Sequence, residues 1–116
     1  MRVLVCGGRR FSDRALLEAT LDRLHRARPF AVVIEGDARG ADRMAGAWAE
    51  ARGIDHLVFR ADWDHLGTKA GPTRNRQMLE KGKPDLVVAF PGRHGTAHMT
   101  RIAKAAGVEV IAIPGL

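Results

Sequence analysis

Five short apolar runs, at residues 2–6, 30–34, 56–59, 85–90 and 108–113, limit the architectures open to this chain. They are near-continuous rather than alternating and rich in valine and isoleucine, the pattern of strands covered on both faces in a parallel sheet. Helical spacing fills the gaps between them. In the first gap Leu17, Leu21 and Leu24 recur at i, i+4 and i+7, with Ser12 or Asp13 available as N-cap. A second helix is expected over 41–52, closed by Gly53. A third is expected from Pro72, well suited to a first helical position, to near Gly82. In the fourth, Met99, Ile102, Ala103 and Ala106 share one face and Gly107 ends it. The order βαβαβαβαβ, with right-handed crossovers, predicts an α/β fold: a Rossmann-like doubly wound parallel sheet of five strands, in the order 3-2-1-4-5, with four helices. A length of 116 residues suits one domain spanning 1–116, and no repeat, low-complexity tract or linker interrupts it.

Composition removes several classes. No stretch approaches the ~20 apolar residues of a membrane helix, and Val3-Leu4-Val5-Cys6 is too short for a signal-peptide core. Cys6 is the single cysteine, which excludes an intramolecular disulfide and an all-cysteine zinc site. A cytoplasmic protein with no membrane partner is expected. The net charge is +6, and 15 of the 19 basic residues are arginine. A guanidinium presents a planar fork that matches phosphate, whereas lysine is a point charge. A genome that favours arginine codons would give the same bias, so position must decide.

Position is informative. Gly7-Gly8-Arg9-Arg10 follows the first strand and Glu35-Gly36-Asp37-Ala38-Arg39-Gly40-Ala41-Asp42 the second. A longer loop, 61–71, follows the third and leads into Pro72-Thr73-Arg74-Asn75-Arg76. Pro91-Gly92-Arg93-His94-Gly95-Thr96 follows the fourth. In the expected topology all four lie at the carboxyl edge of the sheet, where open α/β folds bind ligands at the point of strand reversal. That point falls between strands one and four, flanked by Gly7-Gly8 and the Pro91-to-Thr96 segment. Glycines admit a ligand to the backbone, and helix N-termini favour anions. Tight βα turns also need glycine for steric reasons, but four such turns on one edge, most with arginine inside, point to phosphate. No Gly-Lys-Ser/Thr of a Walker A loop occurs, and Gly7-Gly8 lacks the third glycine of a dinucleotide fingerprint.

The expected ligand-binding residues are therefore Gly7, Gly8, Arg9, Gly36, Asp37, Gly40, Asp42, Gly71, Arg74, Asn75, Gly92, Gly95 and Thr96. Arg74 leads, because a cation in the first turn of a helix opposes the macrodipole and is better explained by an anionic ligand. Asp42, at the start of the second helix, has capping as its ordinary explanation. Glu35 and Asp37 have no such explanation. Trp63 can stack on a base or pack its loop onto the domain, the commoner use of a lone ring. Asp62, Asp64 and His65 lack the spacing and second cluster that a cation site requires, so neither metal nor cofactor is expected. His94 is placed to meet phosphate; His98 is expected in solvent, and His25 and His56 in structural or exposed positions. Ser12, Thr96 and Cys6 have no visible acid–base partners for nucleophilic catalysis.

Taken together, Val3-Leu4-Val5-Cys6-Gly7-Gly8-Arg9, the Gly40-Ala41-Asp42 segment, Gly71-Pro72-Thr73-Arg74-Asn75 and Pro91-Gly92-Arg93-His94-Gly95-Thr96 resemble the YspA-type, cpYpsA-related branch of the SLOG superfamily over essentially the whole chain. The resemblance implies a Rossmann-like domain for nucleotides or nucleotide-derived ligands, such as phosphoribosyl, NAD or ADP-ribose groups. The superfamily includes the Lonely guy phosphoribohydrolases, which release a base from a nucleoside 5′-monophosphate, and the DNA-processing protein A family, which binds single-stranded DNA. The hydrolase signature Pro-Gly-Gly-x-Gly-Thr-x-x-Glu departs here at its end, where Met99 replaces the glutamate and Arg93 one glycine. A thioether can neither take a proton nor stabilise an oxocarbenium ion. N-glycosidic cleavage would need another carboxylate, with Glu35, Asp37 and Asp42 nearest in the expected fold, and Met99 suits a core position. The hydrolase relatives also imply a homodimer. A non-sequence-specific single-stranded nucleic-acid module is the alternative, since Arg23, Arg26 and Arg28 extend positive charge beyond the crevice, though Glu18 and Asp22 interrupt that face.

Overall fold

The computed structural model describes residues 1–115. The elements run β1 (Arg2–Cys6), α1 (Arg14–Ala27), β2 (Val32–Glu35), α2 (Ala41–Ala51), β3 (Asp55–Val58), α3 (Trp63–Leu66), a 3-10 turn (Gly67–Lys69), α4 (Ala70–Gly82), β4 (Leu86–Ala89), α5 (His94–Ala105) and β5 (Glu109–Ala112). The five strands form one sheet in the order β3-β2-β1-β4-β5, every pair parallel. This is the doubly wound architecture that the apolar runs imply, and its four long helices are the expected ones.

Successive residues of β1 face opposite layers. Val3 and Val5 pack with Leu17 and Leu21 of α1 and Ala45 and Trp48 of α2. Leu4 and Cys6 pack with Met78 of α4 and Met99 and Ala103 of α5. Both faces of the sheet are thus covered, which is why the central strands read as unbroken apolar runs. Asp13 caps α1, its Oδ1 accepting from the Leu16 amide at 3.0 Å. His25 is structural: its Nδ1 accepts from the Phe30 amide, and its ring meets Phe30 and Trp48 edge-on.

Several boundaries differ from expectation, for local reasons. Phe30 precedes β2 instead of opening it, because its ring is held in the His25–Trp48 cluster, and the strand extends to Glu35. The 61–71 segment is not a plain loop: α3 and the 3-10 turn run directly into α4, which begins at Ala70. Pro72 is therefore the third helical residue, still within the first turn, where helical amides lack partners and a missing N–H costs nothing. Ala106 lies outside the inward face of α5 as its exposed C-cap.

Met99 is fully buried at 0% exposure. Replacing it with the acid of the hydrolase signature would place an unpaired carboxylate among hydrocarbon. We expect Met99→Glu to lose about 3 kcal/mol or more of stability in urea denaturation, and Met99→Leu to lose less than about 1.5 kcal/mol.

Candidate functional site

The carboxyl ends of β1 and β4 enclose a crevice of about 990 Å³. Its floor is backbone. The Gly8 amide donates to the Pro91 carbonyl at 2.8 Å, and a Cβ on Gly8 would stand 3.1 Å from the Gly92 Cα, so the two turns meet with no room for side chains. Gly40 shapes the neighbouring turn with a φ of +83°, a conformation that L side chains rarely adopt. One wall is the N-terminus of α5, which no side chain caps. Gly95, in its first turn, has open space where a Cβ would be. Uncapped amides and the positive end of the helix dipole together favour an anion there.

Of the residues expected from sequence, Gly7, Gly8, Arg9, Asp42, Arg74, Asn75, Gly92, Gly95 and Thr96 line this crevice. Gly36 and Asp37 line a smaller neighbouring cavity instead. Gly40 and Gly71 line neither cavity, and Gly71 packs beneath Trp63. Arg10, Trp63, Arg93, His98 and Arg101 complete the wall. Among the described residues, the five arginines of the lining face a single carboxylate, Asp42.

Arg74 and Asn75 have structural partners that sequence does not reveal. They fall in the second turn of α4, not the first, because the helix starts at Ala70. The dipole argument for Arg74 therefore fails. Its Nη1 donates to the Gly36 carbonyl at 2.6 Å and its Nε to Asn75 Oδ1 at 2.9 Å. Asn75, 3% exposed, donates from Nδ2 to the Gly95 carbonyl and meets His98 Nδ1, both at 3.1 Å. The pair ties the β2–α2 loop to α4 and α4 to the start of α5. His98 is consequently part of the crevice wall, not a solvent residue. Burial, then Arg101 and Arg76, push its pKa down.

The acidic candidates separate by environment. Glu35 ends β2 at 2% exposure, its Oε2 on His56 Nε2 at 2.8 Å and its other oxygen on the Asp37 amide. Gly46 of α2 makes that pair possible, since a Cβ there would lie 2.9 Å from Glu35 Oε2. Asp37 accepts from Arg60 at 3.0 Å and Arg43 at 3.3 Å, and Arg60 first among these holds its carboxyl below the usual range. Neither acid faces the crevice.

Asp42 does face it, at 5% exposure. It is not a cap, because Gly40 occupies that position. Its Oδ2 accepts from the Gly36 and Ala38 amides at 3.2 and 3.3 Å. Burial pushes its pKa up to about 7, against the pull of Arg74 and the two amides. Burial also drives the Cys6 thiol upward, so that it stays protonated and unreactive.

Trp63 both packs over Gly71 and lines the crevice. Its ring is 48% exposed at the mouth of the crevice, with the Arg9 guanidinium 5.1 Å from the centroid. Asp62, next to it, caps α3 and pairs with His65 at 2.9 Å. Among the described residues no group of three or more His, Cys, Asp or Glu side chains could hold a metal ion. Among the same residues no helix is long and apolar enough to cross a membrane.

Fold and crevice define a SLOG-type Rossmann-like domain. The family model described as the YspA, cpYpsA-related SLOG family matches residues 1–65, and the chain belongs to that family. It is 43% identical over 118 residues to the Gene 61 protein of Mycobacterium phage D29, across 95% of this chain and 94% of that one. It is also similar to the X-ray structure of DNA processing protein A (DprA) from Streptococcus pneumoniae, with a TM-score of 0.78 and 22% identity. That match covers 99% of this chain but 50% of the other, and it is a likeness of fold.

Asp42 sets a pH dependence. Its folded pKa lies above the unfolded value of 3.8, so the native state binds the extra proton and this contribution to stability is lost as pH rises from about 4 through about 7. His98, shifted down, acts oppositely below its ordinary 6.5. Thermal unfolding of wild type and Asp42→Asn between pH 5 and 8 separates the two. The advantage of the variant should grow with pH; a difference that is flat with pH contradicts the assignment.

Proposed function

We propose that this domain binds a nucleotide or nucleotide-derived ligand, with a phosphate held at the Gly8–Gly92 turns and the first turn of α5. The observation that carries the reading is the backbone-floored crevice itself: an uncapped helix start and five arginines converge where, among the described residues, one carboxylate of raised pKa is present. Arg9, Arg10, Arg93 and Arg101 supply charge from the rim. Arg74 and Asn75 position the walls and contribute long-range charge more than direct grip.

Binding without cleavage is the form of this reading that the side chains favour. Met99 is in the core, Glu35 is buried against His56 and Asp37 is tied to two arginines. Asp42 is the crevice-lining carboxylate left to assist N-glycosidic cleavage, and two loop amides already hold it. Incubation with AMP should release no adenine above background, as followed by chromatography.

A single-stranded nucleic-acid module remains the second reading. It is favoured by the likeness to a protein named for DNA processing and by the exposed arginines along the rim. Salt distinguishes the two, because strand affinity falls steeply with ionic strength, whereas a pocketed mononucleotide responds less.

The direct test is isothermal titration with AMP, NAD and ADP-ribose at moderate salt. Gly95→Leu fills the open space at the α5 wall and replaces a helical glycine. Stability should stay within about 0.5 kcal/mol of wild type while binding weakens about tenfold or more. Unchanged affinity in a stable variant would place the phosphate elsewhere.

A further inference from the structure

Beside the crevice, at the carboxyl ends of β2 and β3, lies a second cavity of about 280 Å³. Its lining holds Arg9, Arg39, Arg43, Arg60 and Arg74 against one carboxylate, Asp37. So many like charges around one hollow repel each other, and one acid does not neutralise them. Solvated surface arginines would ordinarily point apart. Here Arg43 and Arg60, from α2 and from the chain just after β3, converge on the two oxygens of Asp37 at 3.3 and 3.0 Å. Both donate through Nε, and no hydrogen bond among the described residues engages Nη1 or Nη2 of either fork. Arg39 likewise has no hydrogen bond or ion pair among them. Asp37, at a φ of +59° and with its amide on Glu35, acts as the organiser that fixes the two forks.

The two cavities are adjacent. Arg9, Ala38, Trp63 and Arg74 line both, so the half-exposed indole stands between two cationic hollows. An aromatic face in that position is a stacking platform for a base, and the Arg9 guanidinium already occupies such a place over the ring.

We propose that the second cavity takes a second phosphate of the ligand whose first phosphate lies at the Gly8–Gly92 turns, so that the preferred ligand is a nucleoside flanked by two phosphates with its base against Trp63. This rests on the crevice reading above and narrows its ligand class. A free bisphosphorylated nucleotide and a strand of nucleic acid share this chemistry.

The test is titration with AMP, with adenosine 3′,5′-bisphosphate and with a 5′-phosphorylated dodecamer of deoxyadenylate, on wild type, Arg43→Gln, Arg60→Gln and Lys81→Gln. Arg43 and Arg60 are exposed, so folding should be unaffected, and thermal unfolding verifies it. Wild type should bind the bisphosphate about tenfold or more tightly than AMP. Each pocket variant should remove that advantage and leave AMP within about twofold, while Lys81→Gln, a matched loss of charge on α4, changes neither. A bisphosphate that binds no better than AMP, or pocket variants that weaken both alike, overturns the second subsite and leaves the crevice reading standing. Failure of all three ligands to bind overturns both. A dodecamer tighter than the bisphosphate, with the same dependence on Arg60, identifies a strand as the source; equal affinities identify a free nucleotide. Either supports the subsite.

Discussion

Arg74 and Asn75 are neighbours in the chain, and the geometry of the whole carboxyl edge depends on the hydrogen bonds they make in opposite directions. Arg74 reaches back to the carbonyl of Gly36, while Asn75 reaches forward to the carbonyl of Gly95 and to His98. Their own bond, Nε to Oδ1, fixes both rotamers. The β2–α2 loop, α4 and the start of α5 are thereby held in one register, although they belong to opposite faces of the sheet. Because Asn75 is buried with its polar atoms paired, removing it would take the side-chain partner from Arg74 Nε and from His98 Nδ1, a larger penalty than the net worth of one bond.

The electrostatics of the edge follow from that arrangement. Burial draws the pKa of Arg74 down, with Arg9 adding to the effect, while Asp42 and Glu35 oppose it. Asp42 has the complementary problem and resolves it by holding its proton more tightly. With its pKa raised to about 7, Asp42 is only partly ionised near neutral pH, so beside the charged guanidinium groups the crevice is more positive than a count of formal charges suggests. An anion entering it meets fixed amides and arginines with little carboxylate repulsion, which is the preorganisation that phosphate recognition requires.

Much of the fold was legible because its signals are local and periodic. Near-continuous Val/Ile runs, helical spacing of Leu17, Leu21 and Leu24, and glycine at turns specify elements within a few residues of their true bounds. Met99 was legible too, since it shares the inward face of its helix with Ile102 and Ala103. The candidate site was legible only in part. Sequence placed Glu35 in a loop, yet one further residue of strand buries it against His56. It treated the stretch before Pro72 as irregular, and two further helical residues, Ala70 and Gly71, moved Arg74 from the first helical turn to the second. It left Trp63 to packing and His98 to solvent, because nothing in the local pattern tells which elements surround a side chain.

By itself, the sequence determined that every strand-to-helix turn would open on one edge. Parallel strands joined by right-handed crossovers allow no other placement, so the glycines and arginines that follow the strands had to gather there. Only the tertiary structure decided which of those gathered groups face open space and which are engaged with each other. Arg74 and Gly36 are 38 residues apart, Glu35 and His56 are 21, and Arg60 and Asp37 are 23. Pairings at such separations depend on the exact approach of packed elements, and the one-dimensional spacing of residues carries no record of it.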